Sequence, residues 1–484
     1  MKKFTSGILM FLLFTIVGFA QNDNTFYATM DAADAVSFKA LYPDGMTILA
    51  SNDRQAAVLL SEEVSHSIHD NVKTHGPGYI FRASAQKALQ ALEPVERRSP
   101  QIDFSITEDA FVNECLDLVD GQNIEDDILN LQNYGTRYHT KSQAELAVLD
   151  QQAKWDAIIA ASGRTDVHTR IFNHVNTPMP SVIITFDGAN TPDEFVIIGG
   201  HIDSTTFGDK NNAPGADDNA SGIASLNEMV RVLLEKNFVP NRTIEVMAFA
   251  AEEIGLVGSA EIAEEYANNG VNVAAYVQFD MTGYNGSSSD IYITTDWYNS
   301  NQLNTYLTEL MDHYNSNNPN NLHNFTYGYT ECGYGCSDHA SWADNGYDAA
   351  FPFEARMGED NPNIHSPGDV YSFFNTPEHS VKFAKLGLEF LIEAAKPQIL
   401  SVDDFSENAI RVFVKNKTLN YQLNNTVSNV KEVSVYNVAG QRIISENVNS
   451  EGGSLQLSQF AHGFYIVHFT LENGHTFSKK FILN

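Results

Sequence analysis

Cysteine is scarce in this sequence, basic residues are few, and long apolar runs are nearly missing. Three cysteines in 484 residues exclude a small scaffold stapled by disulfides. Lys and Arg number 29 against 61 Asp and Glu, a formal charge of −32. Residues 398–484 hold seven of each kind, which leaves 22 basic and 54 acidic side chains upstream. So acidic a body disfavours nucleic acid and anionic membrane surfaces as partners. The one sustained apolar run, Ile8 to Phe19, falls short of the ~20 residues a spanning helix needs. No stable membrane span is therefore expected. Internal repeats and long low-complexity segments are also missing.

What the amino end does carry is a charge at Lys2-Lys3, the short apolar core, and Gly18-Phe19-Ala20 before Gln21. That is the pattern of a secretory signal over residues 1–20, and it predicts a secreted protein, extracellular or at the cell surface. Export favours a short-loop disulfide between Cys332 and Cys336 and leaves Cys115 as a buried free thiol. The close pair could also bind metal, but no second cysteine pair supports that reading.

Residues 21–100 read as a small α+β domain of propeptide type, or as an ordinary N-terminal domain. It contains a strand at Met46–Ala50, a helix at Ala83–Leu92, and a basic, Pro-marked end at Arg97-Arg98-Ser99-Pro100. From 101 to 397 apolar strands alternate with amphipathic helices, which predicts an α/β fold with a mostly parallel sheet covered on both faces. Strand candidates are Val182–Ile184, Phe195–Ile198, Thr243–Phe249 and Ala274–Phe279. A helix carries Ile223, Leu226, Val230 and Leu233 on one face. Residues 398–484 turn to short alternating strands with Asn and Gly turns, the pattern of a β-sandwich.

Metal-type side chains follow these strands. Gly-Gly-His201-Ile-Asp203-Ser closes one, Ala-Ala-Glu252-Glu253-Ile-Gly the next, and Gln-Phe-Asp280-Met a third. Pro-Gly-Ala-Asp217-Asp218-Asn-Ala-Ser-Gly lies in a loop feeding the helix, and His365 comes from Asn-Pro-Asn-Ile-His-Ser. In an open α/β sheet the carboxyl ends of the strands share one crevice, so these groups are aimed at a common place. Two imidazoles with several carboxylates suit zinc.

From about Phe111 to Lys396 these segments, with Cys332-Gly-Tyr-Gly-Cys336-Ser-Asp-His-Ala-Ser-Trp, resemble the secreted bacterial leucyl aminopeptidases, co-catalytic di-zinc exopeptidases. The resemblance implies two Zn2+ per subunit, bridged by Asp217. His201 and Asp280 would complete one site, Glu253 and His365 the other. Glu252 would be the general base and Asp203 the carboxylate that orients His201. A cis peptide would fall at Asp217–Asp218. The expected activity is hydrolysis of the first peptide bond of chains with a free amino end, releasing apolar residues such as leucine.

Met281, Tyr334, Phe351, Phe353 and Ile364 lie beside the motifs and either line the substrate pocket or fill the core. Met357 and Asp360 stand where the family often has aromatics, so a strict leucine preference does not follow. A monomer is expected. Ser434–Gly440, Gly463–Val467 and Lys479–Leu483 resemble a Bacteroidetes-type sorting domain, which would engage secretion machinery. The usual Pro-Asn-Pro turn is replaced by Val414-Lys415-Asn416, and an accessory binding module is the alternative.

Overall fold

A computed structural model of the chain describes residues 25–71, 75–98, 104–318, 323–398, 410–415, 417–423, 429–450, 452–471 and 476–483. The expected signal sequence and Ser99-Pro100 lie outside the described residues. Two compact units divide the chain, Met1–Pro397 and Gln398–Asn484.

The first unit opens with an antiparallel sheet of order β2-β3-β1-β4, made of β1 (Thr25–Asp31), β2 (Met46–Ser51), β3 (Gln55–Ser61) and β4 (Ile80–Arg82). Asp31 caps the helix Ala32–Leu41 by accepting the amides of Ala33 and Asp34. Ser61 does the same at Val64 for the helix Glu62–His69, satisfying amides that a helix start leaves open. That second helix buries Val64, Ser65, Ile68 and His69, a spacing that puts one face inward and carries His69 with it.

The main sheet runs β12-β9-β7-β8-β6-β5, from β5 (Val167–Phe172), β6 (Ser181–Phe186), β7 (Thr191–His201), β8 (Arg242–Phe249), β9 (Asn272–Gln278) and β12 (Ala349–Ala350). The strands β12, β9, β7 and β8 are parallel, whereas β6 runs antiparallel to both of its neighbours, β8 and β5. The sheet is thus mixed, because the connection between β5 and β6 is too short for a parallel crossover. A smaller sheet joins β11 (Tyr327–Thr330), β10 (Ile291–Thr294) and β13 (Pro352–Phe353).

Alternate residues of β7 and β8 face opposite sides. Val196, Ile198, Ile244 and Val246 pack with Ile223, Leu226, Val230 and Leu233 of the helix Gly222–Glu235. Ile197, Met247 and Phe249 pack with Ile262 and Tyr266 of the helix Val257–Asn269 and with Trp342. Each such fully buried apolar side chain contributes about 1.5–3 kcal/mol. The result is a rigid floor whose strand ends are fixed. Among the described residues no helix is long and apolar enough to cross a membrane.

The second unit holds β14 (Ile410–Lys415), β15 (Thr418–Leu423) and β18 (Gly452–Gln456) in one sheet. Its other sheet holds β16 (Val430–Asn437), β17 (Arg442–Ser450), β19 (Gly463–Leu471) and β20 (Thr476–Leu483). Leu419, Tyr421 and Leu455 of the first share a core with Val433, Val435, Val467 and Phe469 of the second, which makes a β-sandwich.

Candidate metal centre

Three parallel neighbours deliver the chemistry at their carboxyl ends. His201 is the last residue of β7, Glu252–Ile254 form a turn just beyond β8, and Asp280 follows β9. The segment Ala216–Ser221 is a kinked turn, non-helical at Asp218 and Asn219, that enters the helix Gly222–Glu235. Gly215 precedes it at φ 54°, where a Cβ would meet the Asp218 carbonyl oxygen at 2.4 Å; only glycine allows that turn. Ala251, Met281 and His365 also have positive φ, a concentration of backbone strain typical of a site held by its surroundings.

His201 Nε2 lies 3.1 Å from Asp218 Oδ1 and 3.2 Å from Asp280 Oδ1. His365 Nε2 lies 3.0 Å from Asp218 Oδ2 and 3.1 Å from Glu253 Oε2. One carboxylate therefore faces both imidazoles, and it belongs to Asp218, not to the expected Asp217. Asp217 turns away: its oxygens accept from the Gly283 amide at 2.8 Å and from Asn361 Nδ2 at 3.0 Å. The cis peptide likewise falls at Asp218–Asn219, one step after the expected bond. Motif spacing brought two adjacent carboxylates to the turn, but the path of the turn selects which one faces the donors.

The surroundings hold this set in place. Asp203 accepts the amides of Glu252 at 3.0 Å and Glu253 at 3.3 Å, while His201 Nδ1 approaches its carbonyl oxygen at 3.2 Å and its Oδ1 at 3.5 Å. It thus ties the end of β7 to the turn after β8. Asp369 accepts the amides of Asp217 and Asp218. Asn219 accepts the Met281 amide and donates to the Phe279 carbonyl. Buried Arg137 donates to the carbonyls of Leu131, Ile202, Pro214 and Gly215. Neither Asp369 nor Arg137 stands in a recognised motif, and sequence reading missed them; Asn361 opens the Asn-Pro-Asn-Ile-His365 segment, but sequence reading gave it no role.

All the donors are buried. Burial works against the Asp218 carboxylate, yet His201 and His365 outweigh it and hold its carboxyl well below the ordinary range. Burial opposes charge on His365, but Glu253 and Asp218 raise it to about 10. Burial drives the Glu252 carboxyl well above its usual value, with Asp280, Glu253 and Asp338 adding to it and His201 opposing. So much buried negative charge calls for cations, and metal and proton compete for such a site. Both oxygens of Asp218, both of Glu253, Oε1 of Glu252 and Nε2 of His365 are buried without a hydrogen-bond partner among the described residues. Orphaned buried oxygens and imidazole nitrogens of this kind fit a metal.

Two further histidines enter from the N-terminal sheet domain. His75 Nε2 lies 2.7 Å from Asp280 Oδ2, and His69 Nε2 lies 2.9 Å from His365 Nδ1. Among the described residues three donor triplets result, His201–Asp218–Glu253, His75–Asp218–Asp280 and His69–Glu253–His365, with donor atoms all within 4.8 Å of one another in each. No spacing signal marks His69 or His75, so only the folded chain brings them in.

Met281, Tyr334, Phe351 and Phe353 form one buried apolar cluster with Cys332 and Cys336, and Ile364 and Met357 pack against it. The Cys332–Cys336 disulfide is present and Cys115 is free and buried.

An α/β sheet that gathers imidazoles and carboxylates at its strand ends beside an apolar cluster is the architecture of a metallopeptidase. The profile described as peptidase family M28 matches residues 181–386. A probable aminopeptidase of Saccharomyces cerevisiae is 30% identical over 295 residues, 58% of this chain and 75% of the relative. Leucine aminopeptidase 1 of Arthroderma gypseum is 31% identical over 299 residues, 59% and 77%. The Legionella pneumophila LapA aminopeptidase structure superposes with TM-score 0.66 at 27% identity, covering 77% of this chain and 99% of that one. LapB of the same organism gives TM-score 0.66 at 26%, covering 77% and 100%. The chain belongs to peptidase family M28, and it is a metallo-aminopeptidase. Residues 400–483 match a domain of unknown function.

Proposed function

We propose that the chain is a two-zinc aminopeptidase that removes apolar residues such as leucine from the free amino ends of peptides. The observation that carries it is the Asp218 carboxylate set between His201 and Asp280 on one side and His365 and Glu253 on the other. Asp218 would be shared, with His201 and Asp280 completing one metal site and Glu253 and His365 the other. Zinc bound there would acidify water and polarise the scissile carbonyl.

Glu252 is the general base in this reading. It is buried, it adjoins the ligand Glu253, and it belongs to none of the donor triplets. It takes the proton of the attacking water and passes it to the leaving amine. Asp203 sets its position through the Glu252 amide. The apolar cluster of Met281, Tyr334, Phe351, Phe353 and Ile364 would take the first side chain. The amino-terminal pattern supports export, and the carboxyl-terminal motifs support a sorting role for the β-sandwich.

The test is a panel of aminoacyl chromogenic substrates with zinc-loaded protein, with and without chelator, before and after limited digestion, beside Glu252→Gln. The variant should retain its metal and lose about 10²–10⁴-fold in turnover. Equal turnover in variant and parent would refute the base assignment.

A further inference from the structure

We propose that the N-terminal domain, residues 25–98, is an internal inhibitor whose His75 adds a nitrogen ligand to the metal position defined by Asp218 and Asp280. This rests on the metal reading above and extends it to a residue outside the M28 motif segments.

The segment His75–Gly78 threads between the donors and the apolar cluster. The Tyr334 hydroxyl donates to the His75 carbonyl at 2.6 Å and accepts the Gly78 amide at 2.8 Å. The imidazole of His75 lies 5.5 Å from the Phe353 ring, centroid to centroid, and is fully buried. Its Nε2 is on Asp280, and its Nδ1 is buried without a partner among the described residues. Gly76 has φ +85°, and a Cβ there would meet the Cys336 carbonyl oxygen at 2.4 Å and the Tyr334 hydroxyl at 2.8 Å. The backbone therefore passes the disulfide loop at a distance that only glycine permits. Beside it, His69 contacts His365 at 2.9 Å.

A catalytic zinc keeps one position open for water or substrate, whereas a structural one has it filled by protein. An imidazole at Asp218 and Asp280 fills that position, and its backbone occupies the corner where a first side chain would lie against Tyr334 and Phe353. One segment thus blocks both the chemistry and the specificity pocket.

The experiment uses the full chain loaded with zinc and measures the rate at which a chelator withdraws metal, alongside cleavage of an aminoacyl substrate. His75→Ala should release one metal equivalent faster by about 10–100-fold, the usual scale for losing a supporting group at a metal site, and should cleave faster than the parent. Gly76→Val keeps the imidazole but pushes the segment off Cys336 and Tyr334, and should act the same way. His66→Ala, exposed on the neighbouring helix, should match the parent. Parent-like metal release in both His75→Ala and Gly76→Val would overturn the ligand role. Faster release with no gain in cleavage, while the parent cleaves, would overturn the inhibitor role. If no form cleaves any peptide, the aminopeptidase reading fails, yet metal release still judges His75.

Discussion

Two adjacent aspartates divide their labour, and exchanging each for asparagine separates the roles. Asp218 stands 3.1 Å from His201 and 3.0 Å from His365, so Asp218→Asn removes negative charge from both donor sets at once. Loss of an outer partner alone costs about 10–100-fold in metal affinity. A group facing both sets makes that a lower bound for each, at least about 1.4 kcal/mol apiece. Asp217→Asn leaves the donors intact but puts a buried amide where Gly283 and Asn361 both donate. An unsatisfied buried donor costs about 1–3 kcal/mol, and here it would appear as lowered folding stability. The assay is competition against a graded chelator with metal counting by atomic emission, next to denaturant unfolding of the same samples. Asp218→Asn should lose metal, and Asp217→Asn should keep metal but unfold earlier. The opposite pattern, with Asp217→Asn stripped and Asp218→Asn loaded, would refute the assignment of the shared carboxylate.

Three other expectations follow from the packing. Arg137 donates to four carbonyls, each bond from a charged donor worth about 1.5–3 kcal/mol; Arg137→Met should cost at least about 3 kcal/mol in unfolding free energy. Burial opposes ionisation of Glu261, but His174 and the Val175 and Asn176 amides bring its carboxyl down from 4.5 to about 2. Its folded value is depressed, so its stabilisation is present above pH 4.5 and is lost as pH falls toward 2. Glu261→Gln should flatten the acid limb of the stability profile, and parallel limbs in parent and variant would count against the network. Burial lifts the Cys115 thiol to about 12, so a thiol reagent should find no reactive cysteine in the native chain and one after denaturation without reductant.

Much of the catalytic half was legible because strands buried on both faces write themselves as unbroken apolar runs. The predicted Phe195–Ile198 and Thr243–Phe249 lie within β7 and β8, and His201, Glu253 and Asp280 sit at the strand ends where topology gathers them. The cluster of Met281, Tyr334, Phe351, Phe353 and Ile364 also comes together. Three things escaped. Direction along the sheet is not encoded in apolar runs, so the reversal of β6 against β8 and β5 was not foreseen. The choice between Asp217 and Asp218 depends on backbone path, which residue type does not report. His69 and His75 are distant in sequence and have no local spacing, so their arrival depends on the N-terminal sheet docking against the catalytic one.

That docking is reinforced away from the metal. The Phe81 amide donates to the Gly255 carbonyl at 3.0 Å, Arg82 pairs with Asp344 at 2.6 Å, and Ile80 shares an apolar cluster with Leu256, Tyr298 and Ala340. Cutting the peptide linking the two halves would leave all these attachments in place. Under the proposed inhibition by this domain, activation would therefore show a lag after the nick, ending only when the severed fragment is digested or diffuses off, and its duration would lengthen when purified fragment is added back.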